Sequence, residues 1–356
     1  MTLNPRYVKL LFIATVATIT CMTANAAPTF TVQTFATGTP LGATAPDSVS
    51  YAGGSIWLSY QNGASSTGGS GSSTVVRYST AGAVMNTWSI AGNVDGLRMD
   101  PSTGLVWALQ NNDGNSTLTA INPVTLGTTL YTYGSFYTNV ANRGFDDVAF
   151  PKGNTFISET NPASNTDPIV LRLTTGLSSP IGATGILNSQ FTGLNLATGL
   201  KGPDTITDSD SLILAPNGDL VLTGEADQQL VFIHNPGQTN QSESFIHLLG
   251  VGAGLPDDSA FVTAKNGYFL VADTGANVVY KIYASNLTVG SVFVNVGDEF
   301  GSLNLSTGVV TPIFTGTSPH GLAFVPTPEP GTMASLLSGL AMCGGFLGGR
   351  MRRSMK

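Results

Sequence analysis

Six short segments of the 356-residue chain open on a side chain that can do chemistry, five aspartates and one histidine. They are Asp47-Ser-Val-Ser-Tyr, Asp95-Gly-Leu-Arg-Met, Asp146-Asp147-Val-Ala-Phe, Asp210-Ser-Leu-Ile-Leu, Asp257-Asp258-Ser-Ala-Phe and His320-Gly-Leu-Ala-Phe, spaced 48, 51, 64, 47 and 63 residues apart. If the fold gathers these openings, five carboxylates and an imidazole meet at one place. Converging carboxylates repel unless a proton, a cation or hydrogen-bond donors neutralise them. Three roles suit such a ring. Each acid can cap a turn by accepting backbone N–H bonds, which is the plainest reading. Asp95, Asp146, Asp210 and Asp257 can hold a hard cation such as Ca²⁺. His320 can act as a general acid or base. No glutamate stands at any opening.

The elements that must position these residues are strands. Each opening acid begins a β-branched or aromatic run that ends in a turn, such as Gly53-Gly54, Pro101–Gly104 or Pro216-Asn217-Gly218. A second run follows (55–60, 105–109, 220–222, 268–272), then a third (75–78, 118–121, 170–173, 231–233, 278–282) and a weaker fourth, as at 83–90. Four strands recurring about every 40–50 residues describe a blade, and blades that cannot bury both faces alone stack around an axis. The expectation is an all-β, six-bladed β-propeller over residues 27–326, with the openings ringing one mouth of the channel. Asp257 opens the fifth blade, with 268–272 and 278–282 as its next strands. Residues 291–297 and 301–314 offer a seventh, and 29–35 closes the ring. A pair of packed sheets is the competing architecture.

The ends differ from this body. Arg6 and Lys9 precede an apolar run that closes on Ala24-Asn25-Ala26, so residues 1–26 are expected to be a signal peptide cut by signal peptidase. At the other end, nineteen uncharged residues, Gly331–Gly349, lie between Pro328-Glu329-Pro330 and the basic Arg350, Arg352, Arg353 and Lys356. As a helix they would run about 28 Å, close to the roughly 30 Å of a hydrocarbon core. The basic end would stay in the cytoplasm. Both cysteines, Cys21 and Cys343, fall in these end segments, so the body has no thiol chemistry. Eight basic against twenty acidic residues give residues 27–326 a net charge of −12, which excludes nucleic acid as a partner. The histidines His234 and His247 are expected on outer strands, and Trp57, Trp88 and Trp107 between blades.

The order Pro-Glu-Pro, apolar run, arginine cluster in residues 327–356 resembles the PEP-CTERM domain of Gram-negative bacteria, a tail also labelled an ice-binding protein C-terminal domain. The resemblance implies recognition by an integral-membrane exosortase, cleavage near Pro328-Glu329-Pro330, transient anchoring in the inner membrane and release to the cell surface or exterior. The repeated strand openings resemble the NHL and SMP-30-like propellers. Similarity to the SMP-30-like lactonases implies a divalent metal held at such a mouth by a glutamate, an asparagine and aspartates. Similarity to streptogramin lyase-like propellers implies a histidine as general acid or base. The sequence thus points to an exported matrix or cell-surface binding protein that contacts exopolysaccharide or an envelope protein. A lactonase- or lyase-like enzyme working at the channel is the alternative.

Overall fold

Strands buried on both faces read as mainly apolar runs without strict alternation, and the second strand of each blade is buried in this way although it carries an occasional Ser, Thr, Asn, Gln, Glu or Asp. Ser55–Tyr60, Val106–Gln110, Phe156–Thr160, Leu220–Gly224, Val292–Val296 and Gly267–Asp273 are buried along their whole length. Outer strands such as Val84–Ala91 alternate with exposed residues. The computed structural model describes residues 26–250 and 254–327. Ala24, Pro328, Glu329, Pro330, Arg350, Arg352 and Arg353 lie outside the described residues, and Ala26 is the first of them. Among the described residues the one helical element is the 3₁₀ turn Thr39–Leu41, and no helix is long and apolar enough to cross a membrane.

The strands form six antiparallel blades, so the fold is an all-β, six-bladed propeller and the paired-sheet alternative falls. From the axis outward, blade I is Pro46–Ala52, Ser55–Tyr60, Ser72–Ser79 and Val84–Ala91. Blade II is Val94–Met99, Val106–Gln110, Thr117–Ile121 and Thr128–Thr132, and blade III is Gly144–Ala149, Phe156–Thr160, Pro168–Leu173 and Ala183–Asn188. Blade IV is Ser209–Leu214, Leu220–Gly224, Gln229–His234 and Ser242–His247, widened by the hairpin Gln190–Asn195 and Lys201–Thr205. The first strands pack side by side in a closed ring, blade VI meeting blade I.

Blades V and VI depart from chain order. Pro256–Phe261 pairs with Val292–Val296, Glu299–Leu303 and Val310–Thr315 to make blade V. The strands Gly267–Asp273 and Val278–Ser285 belong to blade VI, between its inner strand Pro319–Pro326 and its outermost strand Thr29–Thr37. The expected fifth blade is therefore corrected, and residues 291–314 are blade V rather than a seventh. The reason is topological. Pro319–Pro326 pairs with Gly267–Asp273, which pairs with Val278–Ser285, which pairs in turn with Thr29–Thr37, so closure of the ring by the N-terminal strand draws 267–285 into blade VI. Residues 29–37 do close the ring, as expected.

The apolar interior is divided into six clusters, one at each junction between neighbouring blades. Trp57 stacks on Trp88 at 5.5 Å in the I–II junction, and Trp107 meets Phe150 edge-on at 5.0 Å in the II–III junction. Buried there, the tryptophans hold blades together and are closed to a ligand.

Candidate functional site

Every inner strand carries a β-bulge at its opening acid or histidine. In each blade two inner-strand residues oppose one residue of the second strand: 47–48, 95–96, 146–147, 210–211, 257–258 and 320–321. A bulge breaks alternation and re-aims side chains. Two successive residues can thus take separate tasks.

The second bulge residue locks blade to blade. The Leu97 N–H donates to Ser48 Oγ at 3.1 Å, Leu212 N–H to Asp147 Oδ2 at 3.1 Å, and Leu322 N–H to Asp258 Oδ2 at 2.9 Å. These bonds tie blades I to II, III to IV and V to VI. In the blades that donate, II, IV and VI, the matching residue is small, Gly96, Ser211 or Gly321. A Cβ on Gly96 would overlap Asp146 O, and one on Gly321 would overlap Asp47 O. Arg98 spans the centre of this layer, giving Asp147 Nε and Nη2 bonds of 3.2 and 2.7 Å and lying 3.7 Å from Asp258. The turn-capping role expected of the first acids therefore belongs to Asp147 and Asp258. Among the described residues no backbone N–H donates to Asp47, Asp95, Asp146, Asp210 or Asp257.

The first bulge residue faces the mouth. Asp47, Asp95, Asp146, Asp210, Asp257 and His320 line one cavity of about 280 Å³, so the six predicted residues are brought together. Its two halves differ. On the side of blades V, VI and I, His320 Nδ1 sits 2.5 Å from Asp257 Oδ2 and 3.5 Å from Asp47 Oδ1, while Nε2 meets Ser318 Oγ at 3.1 Å. Asp257 first, and Asp47 after it, lift His320 to about 10. It is an imidazolium at neutral pH, which suits an acid and not a base. Asp47 is pushed up to about 6 by burial, against the pull of His320, and accepts a 2.8 Å bond from Gln61 Nε2.

On the side of blades II to IV no lysine or arginine among the described residues lines this cavity, and Arg98, in the layer beneath, is bonded to Asp147. Burial first, and other carboxylates second, hold Asp95 and Asp210 well above the usual range. Asp146 is raised too, by burial and then Asp208. Sequence reasoning missed three acids here. Glu225 follows the second strand of blade IV, Asp113 lies in the matching loop of blade II, and Asp208 immediately precedes the inner strand of blade IV. Glu225 is pushed up to about 7 by burial, with Asp257 and Asp208 adding to it. A repeated signal existed: polar residues Gln61, Asn112, Asn161 and Glu225 recur just past the second strands and line this cavity. Glu225, in a loop and not at a strand opening, is the glutamate that lines this cavity.

The donor set suits a hard cation. Asp146 Oδ2, Asp210 Oδ2, Asn93 Oδ1 and Asn112 Oδ1 are buried oxygens of this cavity without a hydrogen-bond partner among the described residues. Oxygen acceptors left in this state are costly, and a cation such as Ca²⁺ takes six to eight of that kind. No three His, Cys, Asp or Glu side chains of the described residues converge in metal-holding geometry, so a cation held here would need the asparagine oxygens in its shell. The remaining histidines lie elsewhere, as expected. His234 pairs with Asp219 at 2.7 Å and His247 with Asp204 at 3.0 Å on the outer strands of blade IV.

No protein-family model matches the chain, and no curated protein does. Solved structures do match. A candidate gluconolactonase from a structural-genomics set aligns at 12% identity and a TM-score of 0.50 over 81% of this chain and 83% of its own. A protein of unknown function from Bacteroides thetaiotaomicron aligns at 10% identity and 0.50 over 83% and 71%. Virginiamycin B lyase from Staphylococcus aureus gives 11% identity and 0.47 over 83% and 92%. The likeness is one of fold.

Proposed function

We propose that the chain is an exported propeller hydrolase whose acid mouth opens a small, oxygen-rich cyclic ester of the lactone class with the help of a divalent cation. The observation that carries this reading is the group of four unpartnered buried oxygens from Asn93, Asn112, Asp146 and Asp210, facing an imidazolium across a cavity of about 280 Å³. Asp95, Asp146 and Asp210, with Asn93 and Asn112, would hold the cation. When bound, it would supply Lewis acidity to the ester carbonyl. Glu225, lifted to about 7, takes a proton from the attacking water as that water's oxygen bonds to the carbonyl carbon. The ring C–O bond then breaks, and the His320 imidazolium returns a proton to the leaving alkoxide. A hydroxy acid results, and both groups re-equilibrate with solvent.

Export is the second part of the reading. Its support is the basic, apolar, Ala24-Asn25-Ala26 leader and the Pro-Glu-Pro, apolar, arginine order of the tail. Signal peptidase and an exosortase would be the partners in transit. The binding-protein alternative uses the same mouth to hold exopolysaccharide hydroxyls or an envelope protein without turnover.

A panel of five- and six-membered sugar lactones, assayed with Ca²⁺, Mg²⁺, Mn²⁺ and Zn²⁺ and again after EDTA, separates the two. Cation-dependent hydrolysis lost in Glu225→Gln supports the enzyme. Saturable cation binding with no turnover of any lactone overturns it in favour of binding.

A further inference from the structure

The inner strands carry a second repeated position, four residues past each opening: Tyr51, Met99, Phe150, Leu214, Phe261 and Phe324. All six line a cavity of about 320 Å³ at the opposite end of the channel, with Arg98 in its wall. The hydroxyls of Ser50 and Ser259, residues only 6% and 1% exposed, belong to the same wall and have no hydrogen-bond partner among the described residues. This mouth is not closed off. Leu214 and Thr263 are shared with a second cavity of about 410 Å³, and that cavity shares Pro151, Lys152, Asn217 and Gly218 with a third of about 290 Å³. The three form one trough that leaves the axis between blades III and IV.

Turns build the trough. Residues 150–155 and 215–219 join the first and second strands of blades III and IV, and 235–241 join the third and fourth strands of blade IV. From the inner strand to that last turn is two to three strand spacings, about 10–14 Å. The walls change along the way. At the axis they carry the rings of Tyr51, Phe150, Phe261 and Phe324, and farther out the amides of Asn154, Asn217, Asn235 and Gln238. The charge is opposite to that of the other mouth. Eight acids line that one. Among the described residues that line the trough Asp219 is the one acid, held by His234 at 2.7 Å and by Asn217 at 2.6 Å. Arg98 and Lys152 stand in its walls, and Arg172 Nη1 borders the Gly237 turn at its outer end.

These features select an occupant. Amides donate and accept at once, which matches paired hydroxyls, and the electron-rich faces of aromatic rings suit the C–H face of a sugar. The cations suit a carboxylate. A peptide that adds as a strand needs a free backbone edge, and the turn N–H groups of Asn154, Gly218 and Gln238 are already bonded to Pro151, Ala215 and Asn235. We propose that the trough binds an acidic oligosaccharide, with one sugar ring over the aromatic mouth and a carboxylate at Lys152. The site is separate from the acid mouth, and the inference is independent of the chemistry assigned there.

The test is calorimetric titration of the full chain with tetragalacturonate, in EDTA so that no cation bridges the sugar to the acid mouth. Saturable single-site binding is expected. It should weaken about tenfold or more in Lys152→Glu and in Leu214→Glu, and stay within about threefold in Lys152→Arg, which keeps the charge. Lys152 and Leu214 are both exposed, and unchanged melting temperatures will show the variants folded. Maltotetraose, the uncharged comparison, should bind about tenfold or more weakly than tetragalacturonate. No saturable heat, binding indifferent to both glutamate variants, or equal affinity for maltotetraose overturns the proposal. So does tetraglutamate binding as tightly as tetragalacturonate, which would indicate a peptide partner.

Discussion

The two mouths of the channel are built by the same six strands, four residues apart, and they share no chemistry. One gathers Asp47, Asp95, Asp146, Asp210, Asp257 and His320. The other gathers Tyr51, Met99, Phe150, Leu214, Phe261 and Phe324. The backbone explains how one repeat makes both. At the acid end each strand is loosened by a bulge that frees two successive side chains, and past it the ladder runs regularly to the apolar end. The bulge lets one residue face a ligand while its neighbour fastens the next blade. A charged site and the lock that holds it open are thus adjacent in sequence and distinct in role.

The comparison breaks most visibly within one bulge. Replacing Asp147 by alanine strands Arg98 and the Leu212 N–H in the centre of the ring. Urea unfolding should register a loss of about 3–5 kcal/mol. Asp146→Ala, one residue away, should cost under about 1 kcal/mol in cation-free buffer, because it removes a buried acid that has no backbone donor. Equal losses would mean that both residues are structural. Under the proposed chemistry, Asp146→Asn and Asp210→Asn should each lower kcat/KM for a lactone by about a hundredfold, some 2.7 kcal/mol, with unchanged unfolding midpoints.

The acid mouth should also make the cation-free protein sensitive to pH. Folding raises Asp47 to about 6 and Asp258 and Glu225 to about 7. Between about pH 4 and 7 the folded state therefore binds more protons than the unfolded one, and stability must fall as pH rises through that window. The Asp47 shift alone is on the order of 2–3 kcal/mol. His320, raised to about 10, works in another window: its contribution is complete below about 6.5 and is lost as pH rises through 10. Thermal melts from pH 4 to 10 should show both declines, and a flat profile would remove the electrostatic argument. The smallest effect belongs to the apolar mouth. Leu214→Ser, at a 44% exposed site, should shift stability by no more than about 0.5 kcal/mol and leave turnover untouched.

Much of this was legible in the chain. The Asp- and His-led openings mark the six inner strands, and their spacing gives the blades. The two long intervals, 64 and 63 residues, hold the extra hairpins, 190–205 and 267–285. Alternation reveals strands and buried faces but not partners, so the assignment of 267–285 to blade VI needed the constraint of ring closure. A bulge cannot be read from composition, so Asp146 and Asp147 looked alike although only the second caps a neighbour. Glu225, Asp113 and Asp208 sit in loops or at a strand edge, where no period-two pattern announces a side chain that reaches the axis.

The central claim is that the unpartnered oxygens of the acid mouth take a cation. Thermal denaturation at pH 7 with increasing Ca²⁺ tests it directly, with an Asp146→Asn/Asp210→Asn chain alongside. The account predicts a saturable rise in the parent chain, about 2.7 kcal/mol at a hundred times Kd, and none in the double variant. A parent melting temperature that ignores Ca²⁺ and every other divalent cation, or a rise that survives in the double variant, would contradict it.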